Sequence, residues 1–396
     1  MNELTCIIIG GGHTGLAALK AIKSTTQSMM NGRKIRFILL DRQSGHVRKV
    51  MMFRPAVSEE EIMVPWTHYF SEGGVDFVQG TVTSVDYEKK RIRYTDVQGN
   101  GILVPYHLLI VAVGSIVRRP NSSQGGIALT DPQAAANIRE YWRQNLWKAV
   151  DETVPEKRKR LMTIAVAGAG ISGIETSAEL ALAMRKEASA LRLNPSDIAV
   201  YLLNAKEYLF PEGPYKVGRK LNLMLSECGV TVLHNCKAIR EEAGVVRLSN
   251  GDSLEVGQCI WTIGLMPNPI LRSMGLPLSP DGQVLVDESY RVQGGVPDVY
   301  SIGDCAKIVD PSTSKSDQMT CKEGGMQARR LGGDIVLADL EGRPAPIHKS
   351  MMDVYGIGLG KDRGLVWTRK WGLDIIITGK LAWKLKKVSW DSASFL

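Results

Sequence analysis

The feature that most constrains this chain is a glycine pattern that occurs twice in one setting. TCIII at residues 5–9 is a continuous apolar run with the look of a buried strand, and GLAALKAIK at 15–23 repeats its alanines and leucines at helical spacing. Gly10, Gly12 and Gly15 fall at the junction. RLMTIAV at 160–166 is a second strand, followed by Gly168, Gly170 and Gly173 and by a helix in IETSAELALAMRK. In this setting the first glycine makes a tight turn, the second leaves room for a phosphate to approach the backbone, and the third packs helix against strand. The helix N-terminus then faces the anion with free N–H groups.

The strand after each turn bears on what is bound. KIRFILLD ends in Asp41, next to Arg42, and a carboxylate there accepts hydrogen bonds from ribose hydroxyls. Asp41 lies farther on than the usual interval of about 20 residues, and TTQSMMNGR at 25–33 reads as an insertion that accounts for the delay. IAVYLL at 198–203 ends in Asn204 with Lys206 beyond it. Without an acid to repel a 2′-phosphate, NADH and NADPH both stay open. Two such units predict an α/β fold with two dinucleotides in one chain, which suits transfer of electrons from one to the other.

The rest of the composition narrows the class. With 396 residues, 44% apolar and 23% charged, the chain can bury large cores. The six cysteines include no CxxC, which suits free thiols in a reducing cytoplasm. No signal peptide is expected before the first strand, and no apolar run reaches the roughly 18 residues of a membrane span. The net charge of +8 is scattered, apart from EKRKR at 156–160 and KLAWKLKK at 380–387, and no nucleic-acid-binding pattern accompanies it. The histidines have no metal-ligand spacing, so no metal is implied.

Further segments carry a resemblance. LLIVAVGS at 108–115, CIWTIGLMPNPIL at 259–271, VYSIGDCAK at 299–307 and, above all, KRLMTIAVAGAGISGIETSAELA resemble type II NADH:quinone oxidoreductases, within the broader flavoproteins that hold FAD and NAD(P)H in two Rossmann-like domains. The resemblance covers about residues 4–385. It implies an FAD domain in two parts, 1–120 and 266–333, an inserted NAD(P)H domain at 121–265, and a C-terminal region at 334–396. It assigns Gly10, Gly12, His13, Thr14, Gly15, Asp41, Arg42, Ala112, Gly114, Gly303 and Asp304 to FAD. Gly168, Gly170, Ile171, Ser172, Gly173, Glu175, Asn204 and Gly264 fall to NAD(P)H, with Glu179 on the same helix. Glu175 is the catalytic candidate, with a positioning or proton-handling role near nicotinamide and flavin; otherwise it is a carboxylate that favours the start of a helix.

The acceptor side departs from the family. Where an AQxAxQQ-like stretch is usual, this chain has QMTCKEGGMQARRLGG at 318–333, leaving Cys321 and Gln327 as acceptor-pocket residues. Cys321 lacks the partner thiol that sulfide:quinone oxidoreductases use. In the tail, Leu381, Leu385 and Val388 share a helical face near Trp383 and Trp390, with Lys380, Lys384, Lys386 and Lys387 largely opposite. Residues 376–390 therefore suit an anionic membrane surface, on the inner face of the cell membrane, or a core or homodimer contact. The implied activity is transfer from NAD(P)H through FAD to a quinone. A soluble redox protein or a specialised metabolite as acceptor, and a non-catalytic flavin-binding sensor, are the alternatives.

Overall fold

The computed structural model describes residues 3–30, 32–71 and 73–394. Asn31 of the predicted insertion, Met1 and Asn2 before the first strand, and Phe395 and Leu396 of the tail lie outside the described residues.

The first half begins with β1 (Leu4–Ile9), α1 (His13–Thr26), β2 (Arg33–Asp41) and β3 (Asp76–Asp86), followed by β4 (Arg91–Asp96), β5 (Gly101–Pro105) and β6 (Leu108–Val111). β1 is central and parallel to both β2 (Ile7 opposite Ile38) and β6 (Ile7 opposite Leu109). The strand Val299–Ser301 returns late in the chain to the far edge of β6. Central strands buried on both faces need unbroken apolar runs, which is what LTCIII and LLIV supply. Around Met29–Met30 the predicted insertion folds back antiparallel on the start of β2.

The second half opens with α2 (Pro132–Asp151). Asp131 caps it, accepting from Ala134 N–H at 2.9 Å, and Pro132 stands where no N–H is needed. This helix ends at Asp151, and a shorter one starts at Pro155. Next come β7 (Thr163–Ala167), α3 (Ile171–Ala190), β8 (Ala199–Leu203), β9 (Val230–Leu233) and β10 (Gln258–Trp261). These strands and Ile127–Ala128 make a five-stranded sheet, parallel at every pairing, with β7 in the centre. The chain leaves the first sheet through Ser115–Val117 and returns through Leu265–Pro267, and these two connectors pair antiparallel.

The C-terminal part adds α4 (Cys321–Arg330), an antiparallel sheet of β11 (Val354–Gly358), β12 (Gly364–Lys370) and β13 (Leu373–Thr378), and α5 (Gly379–Ser394). One core lies around the first sheet. The other joins the helices of the second unit to Met51, Met52, Phe53 and Ile62 from the first half and to Trp367 and Trp390 from the tail. The two halves are thus locked together by burial.

Only part of α5 is amphipathic in the predicted sense. Leu381, Leu385 and Val388 are exposed, as are Lys380, Lys384 and Lys387. Lys386 is the exception: it shares an i, i+4 stripe with buried Ala382 and Trp390 and points inward.

Candidate active site: two glycine turns joined by buried charge pairs

Both turns show the same three steric demands. Gly10 has φ +103°, and a Cβ there would lie 2.4 Å from Ala112 O; Gly168 has φ +117°, with Thr262 O at the same 2.4 Å. A side chain on Gly15 would stand 1.9 Å from Gly10 O, and one on Gly173 would stand 1.9 Å from Gly168 O. The middle glycines differ in kind. Around the Cβ positions of Gly12 and Gly170 no described residue beyond the chain neighbours has an atom within 4 Å, so what they keep clear is room for a ligand. Each is the N-cap of a helix with no side-chain cap and no acid in its first turn, and the first N–H groups of a helix lack intrahelical partners. This arrangement fits a dinucleotide pyrophosphate at each turn.

Around the first turn, Asp41 accepts from Gly11 N–H at 2.5 Å and from Gln43 N–H at 2.7 Å, which fixes its carboxylate at the end of β2 beside the glycines. Arg42 follows, exposed. His13 Nδ1 lies 3.0 Å from the Ala393 carbonyl, so the C-terminal helix closes on the start of α1. Thr14 fills the space beside Gly303 and Gly324, where Cβ atoms would come within 2.9 and 2.3 Å of its Oγ1. The glycines of the divergent 318–333 segment therefore let α4 cross α1 closely.

Asp304 accepts from Ser115 Oγ at 2.5 Å, while Lys49 Nζ donates to Ser115 O at 3.1 Å. Burial raises the Asp304 pKa, opposed by the Ser115 hydrogen bond and by Lys49. Burial lowers that of Lys49, opposed by Asp304 and Asp41. The Lys49 side chain is open to solvent. Gly114 (φ +66°) and Gly264 (φ +90°), at the two connector ends, again have open space where a side chain would be.

At the second turn, Ile171 and Ser172 begin α3, and Ser172 is exposed. Glu175, one turn on, is 4% exposed. Its Oε1 accepts from Gly358 N–H at 2.9 Å and pairs with Lys386 Nζ at 3.0 Å. Lys386 also donates to Gly356 O at 2.8 Å. Four residues farther along α3, Glu179 meets Arg54 at 3.8 Å. Burial raises the Glu179 pKa, with Arg54 opposing. Asn204, at the end of β8, is buried; its Oδ1 accepts from Lys206 N–H at 3.2 Å, and its Nδ2 donates to Lys206 O and His234 Nδ1, both at 3.0 Å.

The two acceptor-side residues behave differently. Gln327 is buried, accepting from Gly303 N–H at 2.7 Å and donating to Asp317 at 2.8 Å, so it braces the Gly303–Asp304 turn. Cys321, at the start of α4, is half-buried; burial raises its thiol pKa, with Lys386 opposing. A thiol held protonated is a poor nucleophile, and all six cysteines are free.

Lys49, Ser115, Arg54, Lys386 and Gly358 were not among the sequence-predicted site residues. For Lys386 a signal existed: it lies midway between Ala382 and Trp390 on one helical stripe. Arg54 and Lys49 lie in a segment with neither helical nor strand periodicity, and no local pattern points to them.

Comparison with known proteins agrees with this geometry. An NADH dehydrogenase-like protein of Bacillus subtilis is 21% identical over 366 residues, covering 91% of this chain and 93% of that protein. The type II NADH:quinone oxidoreductase Ndh of Mycobacterium tuberculosis is 24% identical over 357 residues, covering 85% and 73%. Among solved structures, NDH2 from Plasmodium falciparum in complex with NADH superposes with a TM-score of 0.81 at 18% identity, covering 100% of this chain and 96% of that one. Residues 4–333 match the family model described as pyridine nucleotide-disulphide oxidoreductase, and the chain belongs to that family.

Proposed function

We propose that this chain is an FAD-dependent oxidoreductase that passes electrons from NAD(P)H to a quinone. The observation that carries the reading is the pair of glycine turns, each with a middle glycine facing open space, and the buried Glu175–Lys386 pair beside the second. The quinone comes from its relatives, since a type II NADH:quinone oxidoreductase and a demethylphylloquinone reductase of Synechocystis are both similar along most of the chain.

Gly10, Gly12, Gly15 and Asp41 hold the FAD pyrophosphate and ribose, and Ser115, Asp304 and Lys49 line its other end. Gly168, Gly170 and Gly173 receive the nicotinamide nucleotide. FAD, when bound, supplies two-electron exchange between nicotinamide and acceptor. Glu175 takes the positioning or proton-handling role near the nicotinamide and flavin, and Lys386 and Gly358 N–H hold its carboxylate in place. Neutral Asn204 puts no charge against a 2′-phosphate, so either nucleotide is admissible.

Among the described residues no helix is long and apolar enough to cross a membrane. The membrane contact belongs to the outer face of α5, where Leu381, Leu385 and Val388 are exposed beside Lys380, Lys384 and Lys387, with exposed Trp371 and Leu373 on the neighbouring hairpin. Such a face rests in the headgroup region of an anionic bilayer. Domain limits near 120, 265 and 333 are consistent with the connectors and sheets. Steady-state assays with quinones, ferricyanide and small redox proteins test the acceptor: the quinone should turn over fastest, and negligible quinone turnover beside brisk reduction of a soluble protein would refute it.

A further inference from the structure

Lys322, in the first turn of α4, is partly buried, and its Nζ lies 4.3 Å from the centre of the Tyr355 ring. Among the described residues its ammonium makes no hydrogen bond and no ion pair. Tyr355 is a firm support: it stacks on Trp367 with ring centres 5.9 Å apart and meets Phe210 edge-on at 5.1 Å. A ring face attracts a cation within about 6 Å, but it leaves the N–H donors of the ammonium unused.

The carboxylates around it are engaged elsewhere. Glu323 accepts from Thr320 Oγ1 at 2.7 Å, and Asp353 pairs with Lys315 at 2.7 Å. Asp317 accepts from Gln327 at 2.8 Å and from Ser350 at 3.0 Å, and it faces His348 at 3.2 Å. Burial lowers the Lys322 pKa, opposed by Glu323 and Asp353, the mark of an ammonium partly stripped of water. A bound anion offsets that loss. The surroundings tie Lys322 to the site. Gly356, next to Tyr355 on β11, accepts from Lys386, and Gly358 of the same strand donates to Glu175. Cys321, the residue before Lys322, lies within electrostatic reach of Lys386 and Asp304.

We propose that Lys322 selects an anionic acceptor: a quinone whose ring carries a carboxylate or an ionised hydroxyl, with that group on the ammonium and the ring beside Tyr355. If the acceptor is a quinone, as proposed above, this names its chemical class. A neutral quinone offers only carbonyl oxygens, for which an uncharged donor suffices. A full positive charge, held on an aromatic face and left without a counter-ion, discriminates by charge. A lysine kept only for solubility would hold its ammonium out in water instead of lying part-buried on a ring.

The test sets two naphthoquinones against each other: lawsone, whose hydroxyl is ionised at neutral pH, and menadione, which carries a methyl group and no charge. In Lys322→Met the ratio of kcat/KM for lawsone to that for menadione should fall at least about tenfold, the factor expected of one charge-assisted hydrogen bond. Lys322→Arg should retain most of the wild-type ratio. Should Lys322→Met not fold, Lys322→Gln, polar but uncharged, serves the same comparison. An unchanged ratio overturns the proposal. Binding is read separately, without turnover. Hydroxynaphthoate, an acid of similar shape that accepts no electrons from a flavin, should quench the tryptophan fluorescence of the oxidised flavoprotein and bind at least about tenfold more weakly to the uncharged variant. Equal affinity for both proteins also overturns it. If the wild type reduces ferricyanide but neither quinone, it is the quinone reading that fails, and the hydroxynaphthoate result still decides whether Lys322 holds an anionic ring.

Discussion

Lys386 Nζ lies 3.0 Å from Glu175 Oε1, so a helix near the end of the chain neutralises a carboxylate at the start of the second dinucleotide helix. Both groups are largely removed from water, and removing one partner leaves an uncompensated buried charge. Lys386→Met should cost about 3 kcal/mol of stability, within the range for broken buried pairs. The double variant with Glu175→Gln should recover much of that, as urea unfolding would show. Additive losses would mean that the two side chains do not interact.

The glycines of the first turn separate binding from folding. Gly12→Ala meets no protein atom within 4 Å, and replacing an N-cap glycine by alanine costs only about 1 kcal/mol. This variant should fold yet emerge colourless, its flavin absorbance lost. Gly15→Ala drives a methyl against Gly10 O, and overpacking of this kind costs about 1–3 kcal/mol or more. A lowered melting temperature should accompany it. Yellow Gly12→Ala protein would contradict the placement of the dinucleotide.

Glu179 also leaves a mark on stability against pH. Because its folded pKa is raised above the unfolded value, chiefly by burial, its stabilising contribution is complete below the unfolded pKa and lost as pH rises through the folded one. Glu179→Gln has no such group. The stability of wild type relative to this variant should therefore fall as pH rises from the ordinary glutamate range toward neutrality. Denaturant midpoints across that window check the sign, and a difference that grows with pH would refute it.

The outer face of α5 predicts peripheral binding. Replacing Leu381, Leu385 and Val388 by serine should leave the fold intact, because all three are exposed. Binding to anionic vesicles should drop more than about tenfold, since fully burying one such aliphatic side chain is worth about 1.5–3 kcal/mol. Sedimentation with vesicles measures this, and unchanged partitioning would assign the face to another use.

How much of this could be read beforehand depended on how local the cause was. The glycine triplets were legible because a positive φ at Gly10 and Gly168 and close packing at Gly15 and Gly173 are demands met within a few residues. Glu175 was legible only through its setting in the motif. Its partner left a fainter trace: Lys386 stands in a row of lysines, marked off by its place between Ala382 and Trp390 on one stripe, and the packing of α5 turns it inward while Lys384 and Lys387 stay in solvent. Gln327 looked like an acceptor-side residue, yet its hydrogen bonds run to Gly303 and Asp317. Arg54 belongs to an irregular segment whose position is set by burial of Met51, Met52 and Phe53 in the second core, a tertiary effect that no short window reveals.

The central claim, that the two glycine turns hold an electron donor and the flavin that it reduces, is tested most directly by anaerobic titration of the purified flavoprotein with NADH and, separately, NADPH. At least one nucleotide should bleach the flavin absorbance stoichiometrically, and a quinone added afterwards should restore it. Flavin that stays oxidised with both nucleotides would contradict the claim.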